Sequence, residues 1–315
     1  MTTWRPISLE GVRSYPLRER PSKVKVDDFG KPWESGGLMK QWLRSLPNIL
    51  AGEEFRKAVD AIVGAVKTGK MVILGMGAHP IKVGLNPVII DLMERGILHG
   101  LALNGAGIIH DAELAMVGQT SEDVAAQLGD GKFGMAEETG RILNEAIIAG
   151  AEKGKGLGRA IGDMLVQQKF PYNHYSLLAK AVELDIPITV HVAVGTDIIH
   201  MHPKADGAAI GRTSHLDFRI FAGLVSRLEG GVYINLGSAV ILPEVFLKAV
   251  TLVRNLGHPV KRLTTLNMDF IKGYRPMTNV VNRPTLEGGK GIFLTGHHEI
   301  MFPLLAAAII EAMEQ

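Results

Sequence analysis

Two short apolar strands, each running into a Gly-x-Gly turn that opens a helix, constrain this chain more than any other feature. The first spans residues 71–74 and leads into Gly75, Gly77, His79 and Pro80. The second spans 100–103 and leads into Asn104, Gly105, Gly107, His110 and Asp111. A glycine turn at the carboxyl end of a parallel strand lets a ligand approach the backbone, and the helix N-terminus behind it favours negative charge. Side by side, such turns are how open α/β sheets hold nucleotides. Neither turn follows Gly-x-Gly-x-x-Gly, and no acidic residue closes the second strand to hold a ribose, so the turns alone also fit glycines that merely permit tight corners.

The same alternation runs down the chain. Apolar residues at helical spacing (Phe55, Val59, Ile62, Val63, Val66) predict a helix over 52–66, followed by a strand over 70–74. Pro80 suits a helix start, with Pro87 marking a kink or a late start before Gly96 ends the segment. Helices are expected over 111–117, 121–128, 135–151, 158–167, 174–184, 214–228, 243–255 and 299–313, with Asn173 as an N-cap. A Gly-rich loop is expected over 150–158. Further strands are expected over 186–194, 231–236, 263–268 and 291–294. Strands joined by helices this regularly predict an α/β fold, a mostly parallel Rossmann-like sheet with helices on both faces. Residues 1–36, broken by Pro6, Pro16, Pro21, Pro32 and Gly36, are expected to form an N-terminal arm. Residues 37–315 are expected to form a single α/β nucleotide-binding-like domain.

At 315 residues the chain can bury a large core. Its net charge of +2 argues against nucleic acid and anionic membranes as partners. It has no cysteine, which removes disulfides, thiolate metal sites and a cysteine nucleophile. No apolar leader is visible, and runs such as 303–310 fall short of the ~20 residues of a membrane span. A cytoplasmic protein with a small-molecule substrate is expected.

In a parallel sheet, ligands bind outside the carboxyl ends of the strands. Polar and small residues gather there: His110 and Asp111, Asp197 with His200 and His202, Gly237 and Ser238 with Glu244, and His297-His298-Glu299. Imidazole and carboxylate together allow a metal, yet no known ligand spacing appears, and histidines that hydrogen-bond a polar substrate fit better.

These residues bring a family into view. Across about residues 28–313 the chain resembles deoxyhypusine synthase and its relatives. Asn104-Gly-Ala-Gly107 stands where that family has a Thr-Ala-Gly-Gly type turn. A strand opening at Ile186-Pro187 leads to Gly195-Thr-Asp197, the strand over 231–236 ends in Gly237-Ser238, and the last helix carries Phe302-Pro-Leu-Leu305. The resemblance implies NAD in a Rossmann-like domain, lined by Gly77, Asn104, Gly105, Gly107, Asp111, Asp197, Gly237 and Ser238. It implies a homo-oligomer, a dimer or the family's homotetramer, and transfer of an aminobutyl group through an enzyme lysine. The chain departs from the family where that chemistry lies. The family's Trp-Gly-Lys segment is replaced by Asn282-Arg-Pro-Thr-Leu286, leaving Lys290 or Lys82 as open stand-ins. Gly296-His297-His298 replaces an Asp-Ala pair, and Val240-Ile-Leu-Pro243, followed by Glu244, replaces a His-His. The expectation is therefore a deoxyhypusine-synthase-like, NAD-dependent enzyme with a changed small amine or amino-acid-like substrate. His110, His200, His202, His297, His298 and Glu244 are its candidate acid/base groups. A metal-dependent hydrolase or lyase, or a ligand-binding homologue without activity, are the alternatives.

Overall fold

The computed structural model of the protein describes residues 6–314; the start of the expected arm, residues 1–5, lies outside them. Six parallel strands form one sheet: β1 (Val72–Met76), β2 (Gly100–Asn104), β3 (Ile188–His191), β4 (Val232–Leu236), β5 (Thr264–Asp269) and β6 (Lys290–Thr295). Their spatial order is β3-β2-β1-β4-β5-β6, so the order reverses between β1 and β4. This is the Rossmann-like α/β arrangement, and the reversal opens a crevice at the carboxyl ends of β1 and β4.

Both faces of the sheet are buried, and the side-chain alternation shows it. Val72, Leu74 and Met76 join the core formed with helices Leu50–Lys67, Gly105–Val117 and His298–Met313. Ile73, Ala102 and Tyr233 face the opposite core, beneath helices Gly207–Val225 and Ile241–Asn255. This is why β1, β2 and β4 read as continuous apolar runs.

The outer edge of β3 is closed by side chains. Asp217 Oδ2 accepts from Val190 N–H at 2.8 Å. Ser214 Oγ donates to Val190 O at 2.9 Å and accepts from Val192 N–H at 3.1 Å. Helix Gly207–Val225 thus supplies the hydrogen bonds a further strand would make, and a bare edge is avoided. Asp217 also accepts from Gly158 N–H at 2.9 Å, at the start of helix Leu157–Gln168.

Several boundaries differ from the sequence reading. β1 runs two residues beyond the expected end, and Gly75 lies inside it, paired with Ala102 and Asn235. A Cβ at Gly75 would overlap the Tyr233 hydroxyl, so that glycine serves packing and not a turn. The helix expected from Pro80 forms as His79–Lys82 and Asn86–Glu94, separated at Gly84 (φ 80°), with Pro87 in the first turn of the second piece. The loop expected over 150–158 shrinks, because helix Glu137–Glu152 continues and the next helix starts at Leu157. β3 occupies only the centre of the expected 186–194. Ser176, and not Asn173, caps helix Leu177–Glu183 by accepting from Ala179 N–H at 3.0 Å. Asn173 donates instead to Leu165 O. Between residues 6 and 38 the chain carries two 3-10 turns, Leu17–Glu19 and Val26–Asp28. Among the described residues no helix is long and apolar enough to cross a membrane.

Candidate functional site

The carboxyl edge of the sheet carries two groups of polar residues, one beside β2 and β3 and one at the crevice between β1 and β4. The first surrounds a cavity of about 410 Å³. Its walls are largely apolar (Ala106, Ile109, Val124, Phe133, Ala136, Ile198), and Lys82, His110, Glu113 and Asp197 also face it.

His110 lies in the second turn of helix Gly105–Val117, which β2 feeds directly through the N-cap Asn104. Asn104 Oδ1 accepts from Gly107 N–H at 3.0 Å. The imidazole belongs to a relay: His110 Nδ1 is 2.7 Å from Thr120 Oγ1, and Thr120 donates to Glu113 Oε2 at 2.6 Å. Since the Thr120 proton goes to the carboxylate, its oxygen accepts from Nδ1–H, which assigns the tautomer and leaves Nε2 unprotonated. Glu113 is held further by the Thr139 hydroxyl at 3.1 Å. Burial, reinforced by the nearby positive charge of Lys82, pushes the His110 pKa down to about 4, so the ring is neutral at pH 7.

Asp197 follows β3 and is only 7% exposed. A Cβ at Gly105 would overlap its carboxylate, which fixes that position as glycine. Its Oδ2 is buried with no hydrogen-bond partner among the described residues. His200 Nδ1 accepts from Gly195 N–H at 3.0 Å and Asp197 N–H at 3.3 Å, so its proton resides on Nε2, 3.9 Å from Asp197 Oδ2. Burial pushes the Asp197 carboxyl up, opposed by His200 and the Thr196 hydroxyl.

At the crevice, Gly77 N–H donates to Leu236 O at 3.1 Å, and a Cβ at Gly77 would lie 2.5 Å from Gly237 O. Gly237 has φ 63°, and a Cβ there would meet the His298 ring at 2.7 Å. His298 is 1% exposed, and its Nε2 is 3.6 Å from Asp269 Oδ1. Burial pushes the His298 pKa down, partly offset by Asp269. His79 and Phe270 pack against the ring, and exposed His297 stacks on Phe270 at 6.2 Å. Ser238 Oγ accepts from Leu242 N–H at 3.1 Å, in the first turn of helix Ile241–Asn255.

The remaining candidates from the sequence lie elsewhere. Asp111 faces inward, fully buried, and accepts from Asn86, the Ser176 hydroxyl and the Leu177 and Leu178 N–H groups. It caps helix Leu177–Glu183, which leaves it no lone pair for a ribose. His202 packs on Gly140 and reaches Glu137 at 3.3 Å, away from the cavity. Glu244 is engaged by Lys248, Asn279 and Arg275 on the surface. Lys290 is the first residue of β6, at the opposite edge of the sheet from both groups. Among the described residues no three His, Asp or Glu side chains come together to hold a metal ion. Thr120 and Glu113 are the residues that sequence reading left out, and Lys82 entered it only as an open stand-in for the missing lysine. Glu113 was detectable as the i+3 neighbour of His110 on one helix face.

Two observations bear on a dinucleotide. At Asn104–Gly107 the cap is complete and the Asp197 carboxylate occupies the space over Gly105, so this turn does not fit a phosphate. At the crevice, Gly237 O fills the space beside Gly77 and the His298 ring fills that beside Gly237, so what favours a dinucleotide there is the reversal of strand order between β1 and β4.

No protein-family model matches the chain, and no curated protein matches it. Solved structures do. AgrE in its ternary complex with ornithine and NAD+ superposes on 84% of this chain and 34% of its own, at a TM-score of 0.53 and 12% identity. Unliganded AgrE gives 0.51 at 15% identity, again over 84% and 34%. A candidate deoxyhypusine synthase from Entamoeba histolytica superposes on 90% of this chain and 97% of its own, at 0.52 and 13% identity. This chain thus spans about a third of AgrE. At these identities the likeness, including that to deoxyhypusine synthase, is one of fold, shared with enzyme structures that include an NAD+ complex.

Proposed function

We propose that this protein is an NAD-dependent enzyme that acts on a small amine or amino-acid-like compound held in the cavity beside β2 and β3. The observation that carries the reading is His110: a neutral imidazole, held at Nδ1 by the Thr120–Glu113 relay and unprotonated at Nε2, in the lining of a ligand-sized cavity. Nε2 takes a proton from the substrate, and the relay fixes the ring orientation and steadies the charge that develops. Lys82 and Asp197 orient the substrate, while the apolar walls exclude water. The crevice where the strand order reverses between β1 and β4, beside Gly77, Gly237, Ser238 and His298, would hold the NAD. When bound, NAD supplies a hydride acceptor. The fold likeness to AgrE with NAD+ supports the cofactor, and the missing Trp-Gly-Lys segment argues against transfer through a family-type lysine.

The test combines binding with turnover. NAD at a hundredfold excess over Kd stabilises a protein by about 2.7 kcal/mol, which a thermal melt detects. The reading expects a raised Tm with NAD and NADH formed from a panel of amines and amino acids, lost in His110→Gln. No shift at millimolar NAD, or equal turnover in His110→Gln, would overturn it.

A further inference from the structure

Between helices Gly105–Val117 and Glu137–Glu152 the chain runs over the surface, and its one short helix there, Val124–Leu128, buries no residue. From 118 to 138 only Gly134 is buried, yet Ser121, Glu122, Val124 and Phe133 line the cavity that His110 also lines. A connection this long is uncommon in a compact domain unless it serves a site. Its ties to the body are few. Ala126 N–H donates to Asp123, Lys132 N–H to Gln127 O and Gly134 N–H to Glu122 Oε2, all within the segment. Among the described residues, the only hydrogen bonds or ion pairs that leave 119–135 are those of the Thr120 hydroxyl, with His110 Nδ1 at 2.7 Å and Glu113 Oε2 at 2.6 Å. Ser121, the next residue, is held at φ 71°, a conformation that non-glycine residues rarely adopt. Glycines in the same left-handed region stand at both ends, Gly118 at φ 71° and Gly134 at φ 75°. Gly134 is also the seat of the segment: a Cβ there would lie 2.7 Å from Ile198.

We infer that residues 119–133 are a lid on this cavity, hinged at Gly118 and Gly134 and shut in this structure, and that Thr120 is a positioning residue which lid closure delivers to His110. The inference rests on the function proposed above and gives its site a gate. Opening carries Val124 and Phe133 off the cavity and takes Thr120 Oγ1 away from His110 Nδ1. Glu113 stays behind, still held by the Thr139 hydroxyl at 3.1 Å. The proton on Nδ1 then loses the acceptor that fixed the tautomer, and Nε2 is no longer reserved as the base. The imidazole is therefore oriented for chemistry only when the lid is shut. Admission of substrate and assembly of the base are one movement, and water reaches the cavity only while the base is disarmed.

Two readouts on the full-length protein without ligand test this: amide hydrogen exchange of the lid, and the ¹⁵N signature of the His110 tautomer. Thr120→Val keeps the shape of the side chain and removes the hydrogen bonds that tie the lid down. A lost hydrogen bond to a charged group shifts an equilibrium roughly tenfold or more. The bonded lid amides of Lys132 and Gly134 are thus expected to exchange at least about tenfold faster in Thr120→Val, with the two flanking helices unchanged. His110 is expected to carry its proton on Nδ1 in wild type and to lose that preference in Thr120→Val, while Thr120→Ser restores both readings. Gly134→Ala touches neither His110 nor Thr120 but unseats the lid from Ile198, and it is expected to act on the His110 tautomer as Thr120→Val does. The inference is overturned if the lid amides exchange alike in wild type and Thr120→Val, or if Gly134→Ala leaves the His110 tautomer unchanged. Turnover that survives His110→Gln would overturn the proposed function and leave the lid standing. Turnover lost in His110→Gln, with lid exchange the same in wild type and Thr120→Val, would do the opposite.

Discussion

The Lys82 charge acts on His110, and this effect can be measured. The histidine is held below its ordinary range first by burial and then by the Lys82 charge. Lys82→Met removes the second cause, so the His110 pKa is expected to rise toward the ordinary value, stopping short of it because burial persists. An NMR titration of the His110 ring in wild type and Lys82→Met measures this without any substrate. An unchanged titration would show that the ammonium lies too far away to act on the ring. Asp217 offers a second residue-level test. Burial pushes its carboxyl up to about 7, against backbone N–H groups that favour the charged form. Its folded value thus lies above the unfolded 3.8, and between these values the native state binds the extra proton. Stability from this group is full below about pH 4 and declines as pH rises toward 7. The buried histidines His110 and His191 have depressed values and push the opposite way, but they are common to wild type and variant. Urea denaturation of wild type and Asp217→Asn at pH 4.5 and pH 7.5 is therefore expected to show a wild-type advantage that shrinks at the higher pH. An advantage that grows would show that Asp217 is ionised throughout.

At the scale of elements, the edge of β3 depends on a helix to complete its hydrogen bonds. Ser214 donates to Val190 O and accepts from Val192 N–H, so Ser214→Ala leaves two backbone groups of an edge strand unpaired. A loss of about 1–3 kcal/mol is expected, read by denaturant unfolding, with little effect on ligand binding. This pairing was invisible in the sequence, where Ser214 read as the start of a helix that in fact begins at Gly207. The same limit explains the other differences. Strands and helices were legible because both faces of the sheet are buried and apolar runs mark them. Gly75 was not, because a Gly-x-Gly pattern reads as a turn, while the Tyr233 hydroxyl that demands the glycine lies on β4, far along the chain. Asp111 looked like a ligand-facing acid because it follows a strand-end turn. Its burial under Asn86 and Ser176 depends on contacts that only the fold creates. The carboxyl-edge position of His110 and Asp197 was readable from strand order alone, but the Thr120–Glu113 relay needed coordinates.

For the whole molecule, the direction of the strands decides which lysine can take part in chemistry. All six strands run parallel, so every residue that follows a strand lies at one edge and every residue that starts one lies at the other. Lys82 belongs to the short helix after β1, on the cavity with His110 and Asp197. Lys290 opens β6 and lies with Glu54, Lys57 and Asp60 around a different groove. A six-residue strand at about 3.3 Å per residue separates the two edges by roughly 20 Å, well beyond the reach of a lysine side chain. If the carboxyl edge is where substrate binds, Lys290→Ala is expected to leave kcat/KM within about twofold of wild type, while Lys82→Met lowers it roughly tenfold or more through lost substrate binding. The loss should appear chiefly in KM, because an orienting contact acts on the bound substrate as well as on the transition state. A loss in Lys290→Ala instead would move the active site to the amino edge of the sheet, and His110 and Asp197 would lose their roles together.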